Sequence, residues 1–599
     1  MRSIWNKLYD FYDLVNETAD LDMIRARIKA QNPSANLRSY YETCRNFSWS
    51  KLEEHFESIR SGQTNIVSES VDKWIKDEDS ANKPGLILAG AGEDDTFSYL
   101  NLKECSCQMA NLLVSKGLTQ GDRLFISVPV CLELYVMMLA CARVGVIFSF
   151  IDQGLGIDAL ECVFKDARPK ALLTDHDRAS FFSQLDYDGM EMVFIPGNRS
   201  PHVFRNEIML GVELCRHEPE FENRLFDAET PLFMVYVSGS TSAPKGVVHS
   251  HKMMLGAYAT AKYVLDLNYD SILWSDADPS TMVGVIYSCF APWLCGSSAL
   301  CLSIPFSASA CYLTIERRRV SVWLTNPRNL ERLKKEGDDL AAGYDFSNLS
   351  HIVSAGKNLT PELFYWVRDK LKVGPHDCWS MTEAGMICIA NYPCEQIKLG
   401  SMGKPFPGLQ AAVIDETGEE LPIITLGELA FRAEWPSMMV GIWGNKERTD
   451  SYYRNGWFLT GDLVLKDEDG YYYHHGRLDD LLRIGCKYVG PYLIENVIRK
   501  HSSVREVAVI LKKNVSKESV FKAYVTVGNG QSDPGTLSTS IIDFVKNSMN
   551  EDIPLEEIEF VDDLPKSLSG NVLRRVLTAW DLGLPSGNYS VLSDCKREV

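Results

Sequence analysis

Tyr236-Val-Ser-Gly-Ser-Thr-Ser-Ala-Pro-Lys-Gly-Val-Val-His249 is the stretch from which the rest of the chain can be read. It follows an apolar run, Leu232 to Val237, that reads as a buried strand, and it precedes a segment from His251 onward with a helical pattern. Between them is a loop of hydroxyls and glycines that ends in one lysine. Backbone N–H groups of such a loop converge on phosphate oxygens; Ser238, Ser240 and Thr241 add hydroxyl donors beside Gly239, and Lys245 adds a point charge. The pattern is not a P-loop, whose lysine is followed by Ser or Thr and opens a helix, because Gly246 follows here. The placement of Pro-Lys-Gly after a strand separates this loop from an ordinary solvated Ser/Gly linker.

With 599 residues the chain is too long for one core and is expected to split into two or more domains. Hydrophobic residues at 45% and charged residues at 24% are globular values, which argues against disorder on the scale of a domain. A net charge of −19 argues against a nucleic-acid surface, which needs excess Lys and Arg. It leaves room for an anionic ligand held by locally placed cations. The 16 cysteines show no C-x-x-C pair, and Cys105 and Cys107 fall in a helical pattern where positions two apart face different ways. They read as reduced thiols, with a cytoplasmic location as the expectation. The N-terminus lacks the apolar core of a signal peptide. The longest apolar stretch, Tyr135 to Ile151, is interrupted by Arg143 and is shorter than the about 20 residues of a membrane span, so no membrane partner is expected.

Residues 1 to about 85 read as a polar, helical, aromatic-rich extension packed on the main body. From Leu86 helix and strand patterns alternate: Arg123–Val128 as strand, Glu133–Val144 as helix, Ala171–Thr174 and Met192–Ile195 as short buried strands. Such a βαβ rhythm implies parallel sheets with helices on both faces. From Gly400 short strands with Gly and Pro turns, such as Ala411–Asp415 and Gly427–Arg432, suggest a small antiparallel sheet or barrel. Beyond Arg477-Leu-Asp-Asp480 the pattern becomes α+β. The boundary is placed at Asp479, dividing the chain into 1–478 and 479–599.

Several separated motifs then follow in one order: Ser354-Ala-Gly-Lys-Asn358, Asp377-Cys-Trp-Ser-Met-Thr-Glu-Ala-Gly385, Gly400-Ser-Met-Gly-Lys-Pro405, Gly456-Trp-Phe-Leu-Thr-Gly-Asp462, Gly476-Arg-Leu-Asp-Asp480 and Leu564-Pro-Lys-Ser-Leu-Ser-Gly-Asn571. From about Phe47 to the last helix the chain resembles the adenylate-forming superfamily, nearest to acetyl-CoA and medium-chain acyl-CoA synthetases. The resemblance implies an α/β fold: a large N-terminal domain of two parallel-sheet lobes plus a small β-barrel, and a mobile α+β C-terminal domain. It also implies ATP-dependent formation of an acyl-adenylate, with transfer to CoA. By the same resemblance Ser238–Lys245 would hold the phosphates. Asp462 and Arg477 would take the ribose and phosphate, Gly356, Lys357, Asn358, Asp377 and the strand carrying Trp379 would line the adenine, and Glu383, next to Thr382, would hold magnesium, a hard cation that prefers a carboxylate with phosphate and water oxygens. Asp479 would be the hinge. Taken alone, Asp462 in Thr-Gly-Asp reads as a turn residue, Arg477 as a surface ion-pair partner, and His249 and His251 as solvated or packed histidines. The histidines are not carried over.

Three departures from the family pattern bear on function. Ser380 stands where the acetyl-CoA synthetase pattern has a second tryptophan, which opens the acyl pocket lined by Met282 and Val283 to an acid larger than acetate. In Arg483-Ile-Gly-Cys-Lys-Tyr-Val-Gly490, Cys486 replaces a glycine and Tyr488 an arginine, and a side chain there narrows the approach of a pantetheine arm. Asn571 stands where the family has the lysine that stabilises the adenylating transition state. Loss of such a charge commonly costs about 3 kcal/mol or more, which puts turnover in question. The expectation is an AMP-forming acyl-acid:CoA ligase. Two alternatives stand beside it: delivery of the acyl group to an amine or a carrier-protein thiol, and a degenerate ATP- or AMP-binding homologue.

Overall fold

The computed structural model describes residues 27–28, 35–90, 94–237, 244–337, 339–478, 482–484, 487–489, 491–513, 519–528, 533–548, 554–566 and 572–582. The continuous apolar run of strand Pro231–Val237 suits a strand covered on both faces, and Leu232–Val235 are buried. It pairs in parallel with Ile147–Phe150, and the parallel set continues through Arg123–Ser127, Ala171–Thr174, Met192–Ile195 and Glu207–Met209. The helix expected at Glu133–Val144 runs Leu132–Val144 and is buried from Leu134 to Val144, which accounts for the long apolar stretch without a membrane. No helix among the described residues is long and apolar enough to cross one.

Arg143 is fully buried on that helix. An uncompensated ion there would cost several kcal/mol; Asp72 pairs with it at 2.8 Å, and Asn223 and Ser106 accept further hydrogen bonds. Asp72 belongs to the N-terminal extension, so this ion pair ties the extension to the first lobe. Aromatic contacts tie it elsewhere: the indole of Trp74 donates to Trp293 O at 2.7 Å, and that of Trp49 to Gly408 O at 3.2 Å.

One local expectation is corrected. The Lys245 loop does not lead directly into a helix: Lys245–Ser250 is a strand antiparallel to Pro231–Val237, with Val237 opposite Lys245 and Phe233 opposite His249. The β-branched pair Val247-Val248 is buried in this strand, and the helix begins only at Met254, after a short turn His251–Met253.

A second sheet has six parallel strands in the order Pro375–Met381, His351–Ala355, Val322–Thr325, Ile272–Ser275, Ser298–Leu302 and Pro84–Ala89, edged by antiparallel Met386–Ala390 and Asp95–Ser98. The small antiparallel unit is a five-stranded sheet built on Ala411–Ile414, Gly427–Arg432, Trp457–Lys466, Tyr453–Arg454 and Tyr472–Arg477. The C-terminal part has strands Val504–Lys513, Ser519–Val527 and Leu555–Phe560 with helices Pro491–Arg499, Pro534–Ser548 and Arg574–Asp581. Its core, around Ile494, Ile498, Val509 and Phe521, is continuous with Leu463 of the antiparallel sheet and with Leu426, just before strand Gly427–Arg432.

Candidate active site

Ligands of open parallel sheets bind outside the carboxyl ends of the strands. Here a cleft of about 2710 Å³ lies between such ends, the antiparallel sheet and the C-terminal part, and every candidate residue within the described chain lines it. Ser238, Gly239, Ser240, Thr241, Asp479, Cys486 and Asn571 lie outside the described residues.

Lys245 opens strand Lys245–Ser250, and Glu383 sits in the single turn Thr382–Ala384 after strand Pro375–Met381. Their charged atoms meet: Lys245 Nζ lies 2.5 Å from Glu383 Oε1. The Tyr452 hydroxyl donates to the same oxygen at 2.7 Å and accepts from Lys245. Burial by itself would raise the Glu383 carboxyl; the Lys245 charge and the hydrogen bonds from Lys245 and Tyr452 outweigh it and hold the group below its ordinary value.

The turn that carries Glu383 is gripped through its backbone. His249 Nε2 donates to Thr382 O at 2.8 Å, Met439 N–H to Glu383 O at 2.9 Å, and the Trp435 indole to Ala384 O at 2.9 Å. Gly385 closes it at φ 68° with its N–H on Thr382 O. Burial pushes His249 down to about 4 and His251 down to about 3, so both are neutral packed groups. His251 Nδ1 accepts from Ile66 N–H at 3.2 Å.

A second cluster surrounds Asp462. Strands Trp457–Lys466 and Tyr472–Arg477 place Asp462 opposite Arg477, whose guanidinium lies 3.2 Å from Asp462 Oδ1. The Trp379 indole donates to Oδ2 at 2.7 Å, and His474 Nε2 lies 3.8 Å from that oxygen. Burial opposes the charge on Asp462, but the hydrogen bonds and charges from His474, Arg477 and Trp379 prevail and keep it low. Gly461, at φ 72°, leaves the space that Arg477 Nη2 uses; a Cβ there would sit 3.0 Å from it.

Between the clusters, Gly356 leaves strand His351–Ala355 at φ 96°. Lys357 Nζ lies 3.5 Å from Glu331, and Asn358 donates to His474 O at 3.2 Å. Asp377 accepts from Leu359 N–H at 3.2 Å and Cys378 N–H at 3.1 Å, and burial pushes its carboxyl up to about 8. Asp377 thus holds the Gly356–Leu359 segment against its own strand. Met282 and Val283 begin helix Met282–Val285, which Thr281 caps by accepting from Gly284 N–H at 3.1 Å, and Ser380 lies on the neighbouring strand. Sequence reasoning missed Tyr452 and His474. Both sit beside quoted motifs, but neither has a spacing that marks it.

Two family profiles match the chain: one described as AMP-binding enzyme over residues 76–443, and one described as AMP-binding enzyme C-terminal domain over residues 493–571. The chain belongs to the AMP-binding enzyme family. Among curated proteins it is 36% identical to acetyl-coenzyme A synthetase of Bacillus subtilis, covering 93% of this chain and 98% of that one. It is 32% identical to acetyl-coenzyme A synthetase of Methylobacillus flagellatus, covering 86% and 84%. Solved structures with this fold include an anthranilate CoA ligase in complex with anthranoyl-AMP, at TM-score 0.76 and 24% identity over 87% of this chain and 98% of that one. The acyl-CoA synthetase of Brucella canis has TM-score 0.72 and 25% identity over 91% and 99%. The chain is an acyl-CoA-synthetase-like, AMP-forming ligase of this family.

At the far side of the cleft this family member has Lys566 tied down. Its ammonium lies 2.7 Å from Glu506 and 3.1 Å from Asp563, and its side chain is only 10% exposed. Lys566 also forms an isolated antiparallel bridge with Val572.

Proposed function

We propose that the protein uses ATP to adenylate a carboxylic acid larger than acetate and passes the acyl group to CoA. The observation that carries this reading is the convergence on one cleft of a cation–carboxylate pair, Lys245 and Glu383, and a buried Asp462 held by Trp379 and Arg477. In the first step a carboxylate oxygen attacks the α-phosphorus of ATP and pyrophosphate leaves. In the second the thiol sulfur attacks the acyl carbon and AMP leaves. Lys245 neutralises phosphate charge, Asp462 accepts from the ribose diol and Arg477 donates beside it. The adenine lies along Gly356, Lys357, Asn358 and the strand of Asp377 and Trp379. Among the described residues no group of three or more His, Cys, Asp or Glu forms a metal cage. Glu383 fits magnesium carried mainly by phosphate and water oxygens, and the bound ion would supply charge neutralisation. Met282, Val283 and Ser380 form the acyl wall, and the absence of an indole at Ser380 is the support for an acid larger than acetate. The working division is 1–478 and 479–599 with Asp479 as hinge; the two family matches fall on either side of it.

A second reading rests on a specific observation. Asn571 carries no charge, and Lys566 is already neutralised by Glu506 and Asp563, so the adenylating step lacks its usual cation. A slow adenylating enzyme that delivers to an amine or a carrier-protein thiol fits that deficit, as does a homologue that binds ATP or AMP without turnover.

Acid-dependent exchange of pyrophosphate into ATP over a panel of carboxylates separates these. Exchange with C4 or longer acids together with a CoA thioester product is the expected result; exchange without the thioester selects the amine or carrier reading. ATP binding with no exchange for any acid leaves the binding homologue. Asn571→Lys is expected to raise exchange by about tenfold or more, since the restored charge acts in the transition state; an unchanged rate would remove Asn571 as the limiting feature.

A further inference from the structure

We infer that Tyr452 is a positioning residue of the triphosphate site, the donor that aims Glu383 at the divalent cation. The inference rests on the ATP reading above and concerns a residue for which no motif provides. Lys245 at 2.5 Å and the Tyr452 hydroxyl at 2.7 Å converge on one oxygen of Glu383, Oε1, so neither donor occupies Oε2. With no nucleotide the ammonium and the carboxylate neutralise each other. A triphosphate competes for that ammonium, because it offers Lys245 several anionic oxygens. Once Lys245 turns to phosphate, the Tyr452 hydroxyl remains, of these two donors, on Oε1. It then fixes the carboxylate plane and leaves Oε2 for the cation.

The hydroxyl is held in place. The Tyr452 ring stacks on buried Phe458 at 5.7 Å and 14°, and the Lys245 ammonium lies 4.9 Å from its centroid. The backbone is pinned on both sides: Tyr452 N–H donates to Thr449 O at 3.2 Å, and Leu459 N–H to Tyr452 O at 2.8 Å. Helix Lys446–Asp450, which precedes it, is capped by Asn445. A residue that served only to fill space here would need the ring and not the oxygen. The position of the oxygen between Lys245 and Glu383 is what assigns the role. The role is consequential because magnesium tolerates little angular error and, among the described residues, no group of three or more His, Cys, Asp or Glu gathers to share its coordination.

Tyr452→Phe keeps the stacked ring and removes the hydroxyl. ATP binding is measured by calorimetry in EDTA and over a series of magnesium concentrations, with thermal unfolding alongside to confirm the fold. The magnesium concentration that half-maximally tightens ATP binding is expected to rise about tenfold, while affinity in EDTA changes by less than about twofold, the size expected for losing one hydrogen bond to a charged group that acts only on the metal-bound state. In a Glu383→Gln background the same substitution is expected to have no further effect on the magnesium dependence, because Tyr452 acts through Glu383. An unchanged magnesium dependence, an equal loss in EDTA and in magnesium, or additivity with Glu383→Gln would each overturn the role. Absence of ATP binding by the wild-type chain at any magnesium concentration overturns the ATP reading and this role with it.

Discussion

Trp379 lies on the strand leading to Glu383, and its indole reaches Asp462, 83 residues further along the chain. The ring stacks on Phe431 at 5.7 Å, so its polar edge is aimed by packing. A hydrogen bond to a buried charge contributes about 1.5–3 kcal/mol. Trp379→Phe, which preserves the stacking, is therefore expected to weaken AMP binding by about tenfold or more through a looser Asp462. Calorimetric titration with AMP checks this, and unchanged affinity would remove Trp379 from the nucleotide site. Both residues stand in quoted motifs, yet nothing in those motifs states that one donates to the other. Tyr452 was less legible still: in Ser451-Tyr-Tyr-Arg454 it stands between a short helix and a strand with no periodic or compositional mark.

At the scale of elements, the turn Thr382–Ala384 is the part on which the site most depends. It has three residues, and every one of its carbonyls has a donor: His249 or Gly385 for Thr382, Met439 for Glu383, Trp435 for Ala384. Gly385 makes this closure possible, because it sits at φ 68° and a Cβ there would lie 2.0 Å from Ser437 O. Gly385→Ala is expected to cost about 2 kcal/mol or more of stability from strain and contact, and to weaken magnesium-dependent nucleotide binding through displacement of Glu383. Urea unfolding beside ATP titration reads both, and a stable variant with native affinity would refute the claim that this turn positions the carboxylate. The strands around it were legible from their apolar runs. The Lys245–Ser250 strand was not, because Gly-Val-Val-His-Ser-His is too short to separate strand from helix by period, and antiparallel pairing with Pro231–Val237 decided it.

Over the whole molecule, buried titratable groups set a predicted pH optimum for stability. Burial lowers His249 to about 4 and His251 and His475 to about 3, and also lowers His351 and His376. These imidazoles are neutral when folded and take a proton below about 6.5 when unfolded, so their contribution is present above that pH and is lost as pH falls. Asp377, raised to about 8, and Asp152 and Asp276, raised to about 6, act in the opposite sense: folded, they hold a proton that the unfolded chain releases, so they add stability as pH falls toward their unfolded values. Between about pH 7.5 and 6.5 Asp377 dominates, at up to about 1.4 kcal/mol per pH unit, while Lys83, lowered to about 8, acts in the opposite sense chiefly above that range; below 6.5 five histidines oppose three carboxyls and win. Stability is therefore expected to peak near pH 6.5, read as the urea midpoint from pH 7.5 to 4.5. Asp377→Asn is expected to flatten the alkaline limb and steepen the acid limb, where one opposing carboxyl is lost, and a midpoint that keeps rising above pH 7 would contradict this assignment.

The order of the motifs, the family and the two parallel sheets follow from the sequence by itself. Apolar period and turn residues encode which face of each element is buried, and motif order survives any detail of packing. Only the tertiary structure decided which polar atoms meet. Lys245 with Glu383 spans 138 residues and Tyr452 with Glu383 spans 69, and Lys566 is neutralised by Glu506 sixty residues before it. Such pairings depend on strand register, ring stacking and backbone closure to within a few tenths of an ångström, and the periodicity of a sequence carries no information at that precision.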